Sequence, residues 1–254
     1  YQPRCVIDEL AGRTSLMTMA HTYSHGHHFT VLRSHSSRTI ANSAAYLEPH
    51  LAPELTLLDV GAGPGSIPAE FAPRVARVTA TEINDEALSL SRGLAAERGV
   101  TNVDFAVQDV HALTFADDSF DIVHAHQVLQ HVADPVQALR EMARVCKPGG
   151  IVAARDADYA GFIWYPEVPE LDEWLTLYRA AARANGGEPD AGRRLLAWAH
   201  AAGLARTTAT ASVWQYADDT TRQWWGGMWA DRILESGLAR QLVRDELAST
   251  ARLE

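Results

Sequence analysis

The chain has 254 residues, 47% of them hydrophobic and 21% charged, with a formal charge of −10 at pH 7. The apolar share is enough to bury one large core, and the negative charge argues against nucleic acid, which is held by clustered Lys and Arg. No run approaches the roughly 20 apolar residues of a membrane span, no signal leader opens the chain, and two cysteines outside any CxxC pair exclude a disulfide framework, so a cytoplasmic protein without a membrane partner is expected.

The first notable segment is YSHGHHFTVLRSH, residues 23–35, which holds four of the eleven histidines. His25, His27 and His28 could supply imidazoles to a metal, but zinc sites want paired spacings and a carboxylate or thiolate partner, and none is near. No metal is expected.

From Leu55, LTLLDV is a short apolar run ending at Asp59, as in a strand buried on both faces of a parallel sheet. GAGPGS follows, then a helical stretch to Phe71. RVARVTATEI reads as a second strand and NDEALSLSRGLAAERG as a helix capped by Asn84 and stopped by Gly99. VDFAVQDV and FDIVHAH read as strands three and four. DPVQALREMARVCKPGG is a helix with Pro135 near its start, and IVAARDAD is the fifth strand. The alternation of strands with helices predicts a doubly wound, mostly parallel α/β sheet of the Rossmann type, whose ligand crevice lies at the carboxyl ends of the strands.

Beyond this core the composition changes, for all seven tryptophans fall at or after Trp164. DYAGFIWYPEVPE is aromatic and broken by proline. LDEWLTLYRAAARA then places Leu171, Trp174, Leu175 and Tyr178 on one helical face, a helical insertion after the fifth strand. AGRRLLAWAHAAG reads as a helix, LARTTATASVWQYA as a strand containing Thr and Val, and the segment from Asp218 as helical.

The glycine turn lets backbone amides approach a ligand closely. It departs from the GxGxxG of nicotinamide sites, since Gly65 comes one position early. At the predicted tips of strands two and three, Glu82 can accept both hydroxyls of a ribose and Asp109 can meet an adenine amino group.

LLDVGAGPG, VTATEI, VQDVHALTFADDSFDIVHAHQVLQHVADP and RVCKPGG, in this order, resemble the class I S-adenosylmethionine-dependent methyltransferases, in particular the branch that includes ubiquinone and menaquinone methyltransferases and many small-molecule enzymes. The resemblance covers residues 20–216 and implies S-adenosyl-L-methionine as cofactor, leaving S-adenosyl-L-homocysteine. It implies that Gly61, Ala62 and Gly63 line the methionine and ribose portions, with Asp59 supporting the loop. Glu82 would bind the ribose diol, Ile83 would pack on adenine, and Asp109 with the Val110 amide would read the adenine edge. The backbone at His126 and Gln127 would approach the methionine amino group. His131 matches a histidine of the family, with Gln130 in place of its usual neighbour, and reads as structural.

In related enzymes the segment before the first strand closes over the crevice. This places Tyr23, His25, His27, His28 and Arg33 near the methyl group, with Arg33 as candidate partner of the cofactor carboxylate and His28 as the first choice for a general base. His126 is the alternative base. Asp156 and Asp158, at the end of the fifth strand, could orient or deprotonate a substrate or cap the following turn, and Tyr159, Phe162, Trp164 and Tyr165, with the helix beyond, would form an acceptor pocket suited to an apolar molecule. Trp224, Trp225 and Trp229 could wall it or make a homo-oligomer contact.

The expected organisation is one methyltransferase domain over residues 1–254, with an N-terminal lid (1–50), a cofactor core (51–158), an aromatic helical insertion (159–188) and C-terminal helices and strand (189–254). The expected activity is methyl transfer to an O, N or C atom of a hydrophobic small molecule in secondary metabolism. A nicotinamide-dependent reductase or a non-catalytic cofactor-binding protein are the alternatives. The family usually closes its sheet with a sixth and a seventh strand, and nothing after Ala217 reads as one.

Overall fold

The computed structural model describes residues 35–253. Tyr23, His25, His27, His28 and Arg33 therefore lie outside the described residues. Five parallel strands form one sheet, β1 (Thr56–Val60), β2 (Arg77–Glu82), β3 (Val103–Val107), β4 (Phe120–His126) and β5 (Cys146–Arg155), in the order β3-β2-β1-β4-β5. The order reverses between β1 and β4. The ligand crevice of such a sheet therefore opens beside the carboxyl ends of those two strands.

Helices α1 (Ser66–Phe71), α2 (Asp85–Glu97) and α3 (Pro135–Val145) connect the strands. Asn84 caps α2 by accepting the Ala87 amide, Gly99 takes φ +66° just past its end, and Pro135 opens α3 behind an Asp134 cap. These are the start and stop signals of the sequence.

The period of two in the strands sorts side chains onto two faces. On one, Leu58, Val60, Val123 and Ala125 pack with Leu139 and Met142 of α3. On the other, Leu57, Val78, Ile122 and Ala153 pack with Phe71 of α1 and with Ile40 and Leu47 of the segment before β1. That segment carries a helical turn, Ile40–Ala44, capped by Thr39.

A third cluster stands apart from the sheet. Helix α4 (Pro169–Ala184) is the insertion after β5, and α5 (Leu195–Ala201) follows it. Helices α6 (Asp219–Glu235) and α7 (Gly237–Arg244) and the short α8 (Thr250–Leu253) end the chain. Trp174 and Tyr178 of α4, Trp229 of α6, and Leu238 and Leu242 of α7 bury one another together with Tyr159.

Three boundaries differ from the sequence reading. Strand β3 stops at Val107, so Asp109 sits in the turn beyond it. Strand β5 starts at Cys146 and takes in KPGG, because a register shift between Phe120 and Ile122 of β4 absorbs the extra residues; it ends at Arg155, which leaves Asp156 and Asp158 past its tip. Residues 204–217, expected as a strand, form none. Their Thr and Val content favours extended backbone, but strand formation needs a packed face, and most of these side chains are exposed. The segment instead crosses the sheet end, held by a hydrogen bond from Trp214 Nε1 to the Asn42 carbonyl (2.7 Å) and one from Arg155 Nε to Ser212 Oγ (3.1 Å).

Candidate active site

The turn after β1 is shaped by two glycines with left-handed backbone, Gly61 (φ +67°) and Gly63 (φ +57°). A Cβ at Gly61 would meet Val128 Cγ2 at 2.4 Å, so this position must be glycine for space as well as for conformation. Gly63 is different. The nearest atom to a Cβ there is His35 Nδ1 at 3.9 Å, so the backbone faces an open crevice.

Glu82 stands across that opening. Its Oε1 accepts the Gly63 amide (2.8 Å) and its Oε2 accepts the Ile83 amide (3.1 Å), which fixes the carboxylate at the tip of β2. Ile83 beside it is 61% exposed, an apolar side chain left uncovered next to a fixed acid. In the turn after β3, Asp109 accepts both the backbone amide (2.9 Å) and Nδ1 of His111 (2.8 Å). Burial alone would raise the Asp109 carboxyl, but the His111 donors outweigh it and hold the group below the ordinary carboxylate range. Val110 is buried. An exposed apolar face, a bare glycine backbone and two hydrogen-bonded acids fit a flat heterocycle carrying a diol.

Asp59 is buried at the end of β1, and its Oδ1 accepts Nδ1 of the buried His124 at 2.5 Å. His124 packs edge-on against Phe71, with ring centroids 5.2 Å apart. The pair braces the strand ends beneath the glycine turn. Ala62 is buried and its amide donates to the Thr81 carbonyl, tying the turn to β2.

At the tip of β4 the structure brings together residues that sequence reasoning kept apart. Gln127 takes φ +55° and donates its amide to the Arg155 carbonyl (2.7 Å). Its Oε1 accepts Arg38 Nη2 (2.9 Å), while Arg38 Nη1 reaches His126 Nε2 (3.3 Å). Because a guanidinium only donates, His126 Nε2 is the acceptor and the ring proton sits on Nδ1, which finds no partner among the described residues. Burial, and then the nearby Arg38, push the His126 pKa well below 6.5, so the ring is neutral. Arg38 was missed in the sequence, where Arg33 was the expected cation. The signal was weak, since nothing in SSRT distinguishes one N-terminal arginine from another.

His131 is half-buried, with Nε2 accepting the Gln130 side-chain amide (2.9 Å) and a pKa lowered to about 4 by desolvation, which fits a structural role. Asp156 turns to the α3 face, where Oδ1 accepts the Gln130 amide (3.0 Å) and Oδ2 is buried with no partner among the described residues. Burial raises its pKa to about 7 against the pull of the Gln130 and Leu129 amides. Tyr159 is buried, with its ring 5.1 Å from Phe162 and 4.2 Å from Tyr178, and Trp164 is half-buried on the same cluster. Trp174, Tyr178 and Trp229 are core of the helical cap. Among the described residues no cluster of His, Cys, Asp and Glu is placed to hold a metal, and no helix is long and apolar enough to cross a membrane.

A doubly wound parallel sheet with a glycine turn after β1 and fixed acids beyond β2 and β3 defines a class I S-adenosylmethionine-dependent methyltransferase. The methyltransferase domain family matches residues 58–154. An uncharacterized methyltransferase of Schizosaccharomyces pombe is 35% identical over 227 residues, covering 84% of this chain and 80% of its own. A ubiquinone/menaquinone biosynthesis C-methyltransferase of Bdellovibrio bacteriovorus is 42% identical over 98 residues, 38% of this chain and 41% of that one. Among solved structures, the YcgJ protein of Bacillus subtilis superposes with a TM-score of 0.56 at 28% identity, over 82% of this chain and 85% of that one. The chain belongs to the S-adenosylmethionine-dependent methyltransferases, and the reductase alternative falls.

Proposed function

We propose that the crevice between β1 and β4 transfers a methyl group to an O, N or C atom of a hydrophobic small molecule, in secondary metabolism. The observation that carries the site assignment is the open backbone of Gly63 facing a Glu82 carboxylate already fixed by two amides. The aromatic cap after β5, with Tyr159 and Phe162 at its near edge, supports an apolar acceptor. A small-molecule acceptor also agrees with the name of the Bdellovibrio relative.

In this reading Glu82 holds the ribose diol, Ile83 lies under the adenine, and Asp109 with the Val110 amide meets the adenine edge. Gly61, Ala62 and Gly63 line the methionine side, braced by Asp59. Arg38 takes the part first given to Arg33 and offers its guanidinium to the cofactor carboxylate. Gln127 and His126 position Arg38, since both accept its N–H groups. S-adenosylmethionine, when bound, supplies an electrophilic methyl group.

The protein's own part is alignment and exclusion of water. Fixed geometry can supply up to roughly 7–11 kcal/mol of the barrier. A base is needed only when the acceptor atom carries a proton. The His126 Nε2 lone pair is engaged by Arg38, so the proton falls to His28, which lies outside the described residues, as do Tyr23 and His25. Asp156 braces the loop after β4 through the Gln130 amide.

Calorimetry with S-adenosylhomocysteine and NADH tests the cofactor site: micromolar or tighter binding of the first alone is expected, and the reverse rejects the reading. Mass-spectrometric detection of a 14 Da gain across a panel of phenols, quinols and alkyl amines, at about that resolution, tests the acceptor class; methylation of only polar, non-aromatic members would reject it.

A further inference from the structure

In a chain of net charge −10, cations crowd the carboxyl ends of β4 and β5. Arg155 is the last residue of β5 and pairs in register with His126, so the two side chains share the crevice face of the sheet. The Arg155 guanidinium lies 4.5 Å from the centre of the Trp214 ring, and that of Arg38 lies 4.0 Å from the same ring. Trp214 is itself held by the Asn42 carbonyl, with its centroid 6.2 Å from that of His126.

Arg155 is half-buried, yet its one directed bond among the described residues runs from Nε to the Ser212 hydroxyl, and it makes no ion pair there. Its Nη donors are left for something else. The adjacent acid, Asp156, faces the other side of the sheet, and burial raises its pKa to about 7, so it is only a partial counter-charge. A desolvated guanidinium without a carboxylate is costly unless an anion is brought to it. The neighbouring indole, with both guanidiniums over its ring, holds the Arg155 side chain in place for that anion.

We infer that the acceptor is a planar apolar molecule carrying an ionised oxygen, a phenolate or carboxylate, which the Arg155 Nη groups hold beside the Trp214 ring. This rests on the reading of the crevice as the methyl-transfer site and narrows it. Arg155 and Trp214 are specificity residues, and the strap of residues 204–217 exists to carry the indole to the sheet end.

The test uses the full chain saturated with S-adenosylhomocysteine, titrated calorimetrically with 2-naphthoate and with 2-naphthylmethanol, a neutral probe of the same shape. The anion should bind about tenfold tighter, as a charge-assisted bond implies. R155Q should bring the two within roughly twofold, R155K should restore part of the preference, and W214L should weaken both. S-adenosylhomocysteine affinity should stay at the parent value in R155Q and R155K and reports that they are folded, whereas the fold of W214L, which removes an indole that also packs on Arg38, is checked by its urea unfolding curve. Equal affinity of the probes, preference for the alcohol, failure of both to bind, or an anion preference that survives R155Q would overturn this inference alone. Failure of the parent chain to bind S-adenosylhomocysteine would sink the methyl-transfer reading with it.

Discussion

Replacing Gly61 by Ala separates two costs that usually come together. The backbone at φ +67° is unfavourable for any residue with a Cβ, by roughly 1–2 kcal/mol. Reduced freedom of the unfolded chain returns about 0.4–1 kcal/mol. Gly63, at φ +57°, bears the same pair of terms with open space around it, so G63A should lose on the order of 1 kcal/mol. At Gly61 the new methyl also falls 2.4 Å from Val128 Cγ2. Val128 is stiff at χ1 and packed on the core, so overpacking adds roughly 1–3 kcal/mol. G61A should therefore cost roughly 2–4 kcal/mol. Urea unfolding of G61A, G63A, V128A and the G61A/V128A pair measures this, the pair regaining the overpacking cost but not the backbone one. S-adenosylhomocysteine affinity should fall more in G63A, whose methyl projects into the crevice. Equal stability of G61A and G63A, or no coupling between positions 61 and 128, would refute the reasoning.

Asp156 is destabilising when ionised, because burial raises its folded pKa to about 7, above its unfolded value; stability is fully present below about pH 4 and is lost as pH rises to 7, by up to roughly 1.4 kcal/mol per unit. D156N should flatten that slope in denaturation curves taken from pH 4 to 7. For His126 the sign is opposite: a folded pKa pushed below 6.5 leaves the ring neutral, and stability declines as pH falls through the unfolded value. Its ring resonances should show no inflection between pH 6 and 8 by NMR, and a midpoint there would contradict the burial argument. E82A should weaken S-adenosylhomocysteine by about 10- to 100-fold, the worth of hydrogen bonds to a charged acceptor, as measured by calorimetry. H28A should spare that affinity and slow transfer about 100- to 10,000-fold if the acceptor atom carries a proton; equal loss of binding in both variants would undo the division of roles.

Much of the sheet was legible because its signals are local. The run LTLLDV, the Asn84 cap, the Gly99 stop and Pro135 act within a turn of chain, and an apolar run buried on both faces has few alternatives to a parallel strand. Glu82 was legible for the same reason, since a carboxylate ending an apolar strand before a helix cap can only stand at the sheet's rim.

What the sequence determined by itself was the order of elements and, through its motifs, the cofactor. Tertiary structure decided the rest. Whether residues 204–217 pair as a strand depends on what packs against them, and Trp214 went to Asn42 and two guanidiniums instead. Whether Trp174 and Tyr178 line a pocket or fill a core depends on α6 and α7, which bury them. Arg38 gained its place only because the segment before β1 packs on α1 and brings a cation to the tip of β4, a contact 88 residues apart in the chain. Local rules fix backbone conformation, whereas the field and shape of a crevice come from residues that meet only once the sheet has closed.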